Sequence, residues 1–237
     1  MAVFDLRPFS GPESLAQTAA SDWQREIAGL RSSKDAVSCA LSGGRIAREF
    51  FTALANLIKA ERVTLEGVHF FWSDERCVTA DNPESNFRLA NEFLFRQVAV
   101  PSEQIHRLRG ETAPRAAAAL GERELRQFTN CPPPKVPHID LVLLGMGEDG
   151  HVASLFPGEP EEDVASPAVY RAVTAVKPPP QRITMDYGTL AAAREVWVLA
   201  SGAGKHEALQ ASLAGGRTPL GRVLNSRRST RIYSDIP

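Results

Sequence analysis

The sequence predicts an α/β fold with three layers, α/β/α, built on a mainly parallel sheet. Three observations predict it. IDLVLL at 139–144 is an unbroken apolar run, the pattern of a strand buried on both faces of a parallel sheet. Short apolar runs alternate with helical stripes along the chain, as in βαβ units. A strand, a glycine turn and a helix also follow one another twice, at 36–58 and at 196–213.

Each element has its own grounds. Leu15, Ala19, Trp23, Ile27 and Leu30 recur at helical spacing and Pro12 suits a first turn, so 11–30 is a helix. AVSCAL at 36–41 is a short strand. Ser42, Gly43 and Gly44 follow, then a second helical stripe of Ile46, Phe50, Leu54, Leu57 and Ile58. VHFFWSDER at 68–76 reads as one strand ending in charged residues, its aromatic run serving as core. Segment 81–95 starts as a loop and becomes a helix, and Pro114 opens another. NCPPPKVPH at 130–138 is an extended connector. It has the composition of a domain linker, but the strand after it needs helices from both sides to cover it. The chain, 1–237, is therefore expected to form a single domain. VASLFPGEPEED, after His151, reads as an acidic surface loop. VYRAVTAV at 169–176 is a strand, and the three prolines of KPPPQRITM exclude regular structure before Arg182. A strand at 196–200 and a turn at Gly202–Gly204 lead into a helix from Lys205 to Leu213, stopped by Gly215 and Gly216. PLGRVLN is a short helix begun by Pro219, and RIY near the C-terminus is an edge strand.

Composition narrows the function classes. Of 237 residues, 43% are hydrophobic and 23% charged, an ordinary globular balance. A formal net charge of −1 offers no field for nucleic acid or an anionic membrane, so neither is an expected partner. No apolar run approaches the ~20 residues of a membrane helix. The N-terminal MAVFDLRPF lacks the basic and apolar regions of a secretory signal. Cys39, Cys77 and Cys131 are odd in number and far apart, which argues for free thiols in a cytoplasm.

The chemistry concentrates where strands end. In a parallel sheet the carboxyl ends lie along one edge, and ligands bind there. Four polar clusters fall at such ends: Ser42, Ser73–Arg76, Gly145 and Ser201. GMGEDGH at 145–151 is the richest of them. Its glycines permit close backbone approach, and the imidazole of His151 is suited to take a proton near pH 7. Ser42, Gly43 and Gly44, between strand and helix, form a cradle of backbone N–H groups fit for phosphate. A nucleophilic Ser42 is disfavoured, because a nucleophile elbow needs G-x-S-x-G. His69, His106, His138 and His206 lie outside any glycine turn after a buried strand and read as structural or exposed.

SDERCV…PESNF, GMGEDGHVASLFPG, KPPPQRIT and SGAGKHEAL resemble, in that order, the motifs of the 6-phosphogluconolactonase family, and they span about Ala36 to Leu213. The resemblance implies a Rossmann-like sheet and hydrolysis of 6-phospho-D-glucono-1,5-lactone to 6-phospho-D-gluconate in the pentose phosphate pathway, with no cofactor and no metal. It implies that His151 is the general base, with Asp149 holding its tautomer. Backbone N–H groups of the glycine turn, which ones being left open, would stabilise the developing oxyanion, and Gly147 would lie among the substrate-binding residues. Ser42, Gly43 and Gly44 would cradle the phosphate, with Arg76, Arg182 and Lys205 as cationic partners and Asp74 beside the substrate. The family often continues Ser-Gly-Gly with Ser or Thr and then Pro, whereas this chain has Arg45 and Ile46. Arg45 either adds a phosphate contact or turns to solvent. The expected partner is a small sugar phosphate lactone, bound by a monomer or weak homodimer. Glucosamine-6-phosphate deaminases share the GEDGH core but continue Ala-Phe-Asn-Glu-Pro where this chain has Ala153–Pro157, and Asp-Glu-Tyr where it has Asp74, Glu75 and Arg76. A deaminase or isomerase, with Asp74 as the carbon-proton base, stays as one alternative. A non-catalytic sugar-phosphate sensor is the other. Such regulators usually carry a DNA-binding helical domain, for which there is no room before the first strand.

Overall fold

Burial decides which apolar runs become central strands. The computed structural model describes residues 4–237; Met1–Val3, the start of the stretch read for a leader, lie outside the described residues. The chain begins with β1 (Phe4–Pro8), α1 (Pro12–Arg31), β2 (Val37–Leu41), α2 (Arg45–Glu61), β3 (Val68–Trp72) and β4 (Asp74–Arg76). Next come α3 (Asn86–Ala90), which runs on into a π-helical turn, α4 (Pro114–Thr129), β5 (Leu141–Gly145) and the short α5 (Glu161–Val164). β6 (Tyr170–Thr174), β7 (Gln181–Met185), α6 (Tyr187–Ala192) and β8 (Glu195–Ala200) follow. α7 (His206–Leu213), α8 (Pro219–Asn225) and β9 (Thr230–Ser234) complete it.

Six strands form the main sheet in the order β1-β9-β8-β5-β2-β3. All its pairings are parallel. β2 is buried at every position and β5 and β8 at nearly every one, so layers cover both faces. Strand parity shows which. Cys39 pairs with Phe70 and Ala40 with Phe71, so the two pairs face opposite ways. On one face Trp23 of α1 stacks on Phe70 at 6.3 Å and donates its ring N–H to Cys39 Sγ. On the other, Phe128 of α4 lies 4.6 Å from His69 and 5.3 Å from Phe71. This is the expected α/β/α arrangement. No helix among the described residues is long and apolar enough to cross a membrane.

The strand order places the site. From β2 the chain moves outward to β3, but from β5 it moves the other way, to β8 and β9. The direction reverses between β2 and β5, and the crevice above such a switch point is where open α/β sheets bind ligands.

Four readings of the sequence change. The run 68–76 is two strands, because Ser73 turns the chain. Its N–H and Oγ both donate to Leu41 O, and its own carbonyl accepts from Met185. β4 therefore leaves the main sheet and joins β7 and β6 in a second, antiparallel sheet. The prolines before Arg182 shape only the β6–β7 hairpin loop, and a strand begins at Gln181. β9 is an interior strand, buried at four of five positions, and the unexpected β1 takes the edge beside it. The start of the presumed surface loop is buried: Val152, Ser154 and Leu155 are each 0% exposed. Val152 bridges back to Met146, which folds this segment under the site.

Candidate active site

The switch-point cleft measures about 330 Å³. Its walls come from three strand ends: Ser42–Ile46 after β2, Gly145 and Met146 at the end of β5, and Ser201 and Gly202 after β8. Asp74, Arg76, His151 and Lys205 also line it. The four clusters expected to meet along one sheet edge do meet.

His151 stands in a tight turn. The N–H of Gly147 donates to His151 O at 2.9 Å, and the N–H of Gly150 to Gly147 O at 3.1 Å. Gly147 is required by space: a Cβ there would collide with the His151 ring and come within 2.7 Å of Asp149 Oδ1. Asp149 Oδ1 lies 2.5 Å from His151 Nδ1 and accepts the His151 backbone N–H at 3.1 Å. Nδ1 is thereby engaged, and Nε2 is the remaining ring nitrogen of a residue that lines the cleft. Partial burial raises the Asp149 carboxyl, but the N–H and ring of His151 outweigh it and hold it below the usual carboxylate range. Phe156 backs the imidazole at 5.1 Å. The N–H groups of Gly147, Gly150 and His151 are all engaged within the turn.

The N-terminus of α2 forms another part of the cleft wall. Gly44 precedes that helix at φ 100, and no side chain caps it, so the first backbone N–H groups stay available. Arg45 opens α2 from an exposed position on the cleft wall, and Lys205 faces it. Among the described residues neither forms an ion pair closer than 4.0 Å. Burial first, and the charge of Arg45 second, pull the Lys205 ammonium below the usual lysine range. Arg76 donates to Glu84 O at 2.8 Å, and its buried Nε has no partner among the described residues. Arg182 pairs with Arg76 across the β4–β7 ladder. It is only 7% exposed, donates to Pro179 O and Lys177 O, and lies over Phe156. It stands behind the wall rather than on it. Burial and the neighbouring Arg76 lower its pKa.

Asp74 borders the cleft but is 3% exposed. Its carboxylate accepts from Ser42 Oγ at 3.4 Å, Asn86 Nδ2 at 3.1 Å and Ser154 Oγ at 2.7 Å. Glu75, beside it, accepts the N–H groups of Arg76, Asn86 and Phe87 and the Ser85 hydroxyl. Burial outweighs these donors and pushes the Glu75 carboxyl up to about 7. Sequence reasoning missed Glu75, Asn86, Ser154 and Phe156 as parts of the site. All four fall inside the quoted motifs, which is the signal that could have found them.

A parallel α/β fold with a His–Asp pair and a helix N-terminus lining one cleft at the switch point defines a protein of the Rossmann-like class with a polar ligand cleft. The family model for glucosamine-6-phosphate isomerases/6-phosphogluconolactonase matches residues 10–232, and the chain belongs to that family. It is 36% identical over 166 residues to a 6-phosphogluconolactonase of Mycobacterium tuberculosis, covering 68% of this chain and 67% of the relative. It superposes on the crystal structure of 6-phosphogluconolactonase from Thermotoga maritima with a TM-score of 0.83 at 27% identity, over 98% of each chain. A monomeric glucosamine-6-phosphate deaminase shares the fold, with a TM-score of 0.82 at 20% identity and 97% of each chain covered.

Proposed function

We propose that this chain hydrolyses 6-phospho-D-glucono-1,5-lactone to 6-phospho-D-gluconate, the lactone-opening step of the oxidative pentose phosphate pathway. One observation carries the reading: Asp149 occupies Nδ1 of His151 at 2.5 Å, on a residue that lines the cleft, and Nε2 remains as the other ring nitrogen. That is the arrangement of a general base whose tautomer is fixed by a carboxylate.

His151 Nε2 takes a proton from water, and the resulting hydroxide attacks the C1 carbonyl. The tetrahedral intermediate collapses by breaking the C1–O5 bond, and the imidazolium returns its proton to O5. Asp149 stabilises the charged ring between the two transfers. At the far end of the cleft, Ser42, Gly43, Gly44, Arg45 and Lys205 hold the phosphate, with Arg76 and Arg182 adding positive field from the side. The deaminase reading needs a free carboxylate at Asp74, and three side-chain donors already engage it. Three free cysteines suit a reducing, cytoplasmic setting.

The phosphate assignment is tested with Lys205→Ala. Hydrolysis of the phosphorylated lactone should lose ~10-fold or more in kcat/KM, chiefly through KM, as expected for removal of a charged hydrogen bond. Unphosphorylated gluconolactone should be affected far less. Equal loss on both substrates would remove Lys205 from the phosphate site.

A further inference from the structure

We propose that Asp74 is a positioning residue, one that fastens the turn carrying His151 to the phosphate cradle and takes no proton itself. The inference rests on the lactonase reading and deepens it.

The geometry has two arms. On one, Oδ2 accepts the Ser154 hydroxyl at 2.7 Å. Ser154 lies three residues beyond His151 and is 0% exposed. Ala153, just before it, sits at φ 49, the left-handed region that a residue with a Cβ rarely adopts. Such a backbone persists only where its surroundings impose it. Here the Ser154 N–H is fixed by Thr184 Oγ1 at 3.1 Å and its Oγ by Asp74, so both donors of the residue are engaged. On the other arm, Oδ1 accepts from Ser42 Oγ, the first residue of the cradle. Asn86 completes this arm. Its Nδ2 donates to the carbonyl and to Oδ1 of Asp74, and its side chain fills the space that a Cβ at Gly43 would need.

Two loops that hold opposite ends of a substrate thus meet at one buried carboxylate. A carboxylate acting as base needs a lone pair directed at the substrate. In Asp74 both oxygens point at protein donors. What the tie supplies is a fixed distance between the base and the phosphate anchor, and misplacement of about 1 Å can cost ~100-fold in rate.

The test compares Asp74→Asn with Asp74→Ala, and adds Ser154→Ala. Each is assayed for kcat and KM on the phosphorylated lactone, for 6-phosphogluconate affinity by calorimetry, and for the pH profile of kcat/KM. Asparagine keeps the shape, one acceptor oxygen and a group that can pair with the Ser154 hydroxyl. Asp74→Asn should therefore retain activity within ~10-fold of wild type and keep its pH profile, the scale of one altered hydrogen bond. Asp74→Ala leaves three donors unpaired and should lose ~100-fold or more. Ser154→Ala cuts only the arm to the catalytic turn. It should lower kcat ~10-fold while 6-phosphogluconate affinity stays within about two-fold, separating the arms. If Asp74→Asn is as inactive as Asp74→Ala while still binding 6-phosphogluconate, the charge itself takes part and the proposal is overturned. Wild-type kcat in Ser154→Ala would also overturn it. If Asp74→Ala does not fold, Asp74→Asn and Ser154→Ala still decide. If the wild type hydrolyses no lactone, the functional reading fails by itself. The tie is then judged by thermal melting of Ser42→Ala, Ser154→Ala and the double variant, where additive losses would refute it.

Discussion

The imidazole of His151 is held by its neighbours on every side that the substrate does not need. Asp149 takes Nδ1, Phe156 backs the ring, and Gly147 leaves the room it occupies. Gly147→Ala should therefore displace the base without touching the phosphate anchor. The expected result is a kcat lowered by ~10–100-fold with KM nearly unchanged. Steady-state kinetics on the phosphorylated lactone check this, and an unchanged kcat would show that the turn has slack. His151 was legible because its residue type, in a glycine turn after a buried strand, has few other uses. Ser154 stands in a motif that marks the site, but its contact was not legible. Its hydroxyl meets a carboxylate 80 positions earlier in the chain, and no local pattern announces a contact at that separation. Asn86 and Glu75 were hidden in the same way, as partners defined only after β4 turns away from the main sheet.

Among the elements, β3 has a feature the active site does not use. Its His69 Nδ1 lies 2.9 Å from Nε2 of His106, whose ring stacks on Phe71 at 4.4 Å. Burial first and His69 second hold His106 down to about 4, and burial lowers His69 as well. Both rings are thus neutral when folded at pH values where the unfolded chain begins to bind protons, near 6.5. Unfolding takes up protons between about 6.5 and 4, so stability falls as pH drops through that window and is level above it. His106→Phe keeps the stacking and removes one ring from the linkage. Its melting temperature should fall less than that of the wild type between pH 6.5 and 4.5. Parallel curves would exclude the pair as the source. At this scale the long amphipathic helices and buried runs were readable, since their periodicity is set by burial. β1 and β7 were not. β1 is five residues on an exposed edge, and β7 follows prolines that mask its start.

At the scale of the molecule, alternating strands and helices made the layered sheet legible, but not its strand order. The order is what matters, because the reversal between β2 and β5 brings Ser42 and His151 to one cleft. The second sheet was invisible in the sequence, since a single serine redirects the chain. The fold is common to lactonase and deaminase, so it does not choose between them. Nor does the His151–Asp149 pair, which lies in the GEDGH core that the deaminases share; the choice lies with the occupied carboxylate of Asp74. The most direct test follows loss of 6-phosphogluconolactone, generated in situ, above its spontaneous rate for the wild type and His151→Ala. Wild-type acceleration that falls by ~10²–10⁴-fold in the variant, with 6-phosphogluconate binding retained, is the result expected of a general base. No acceleration by the wild type, or full acceleration by His151→Ala, would contradict it.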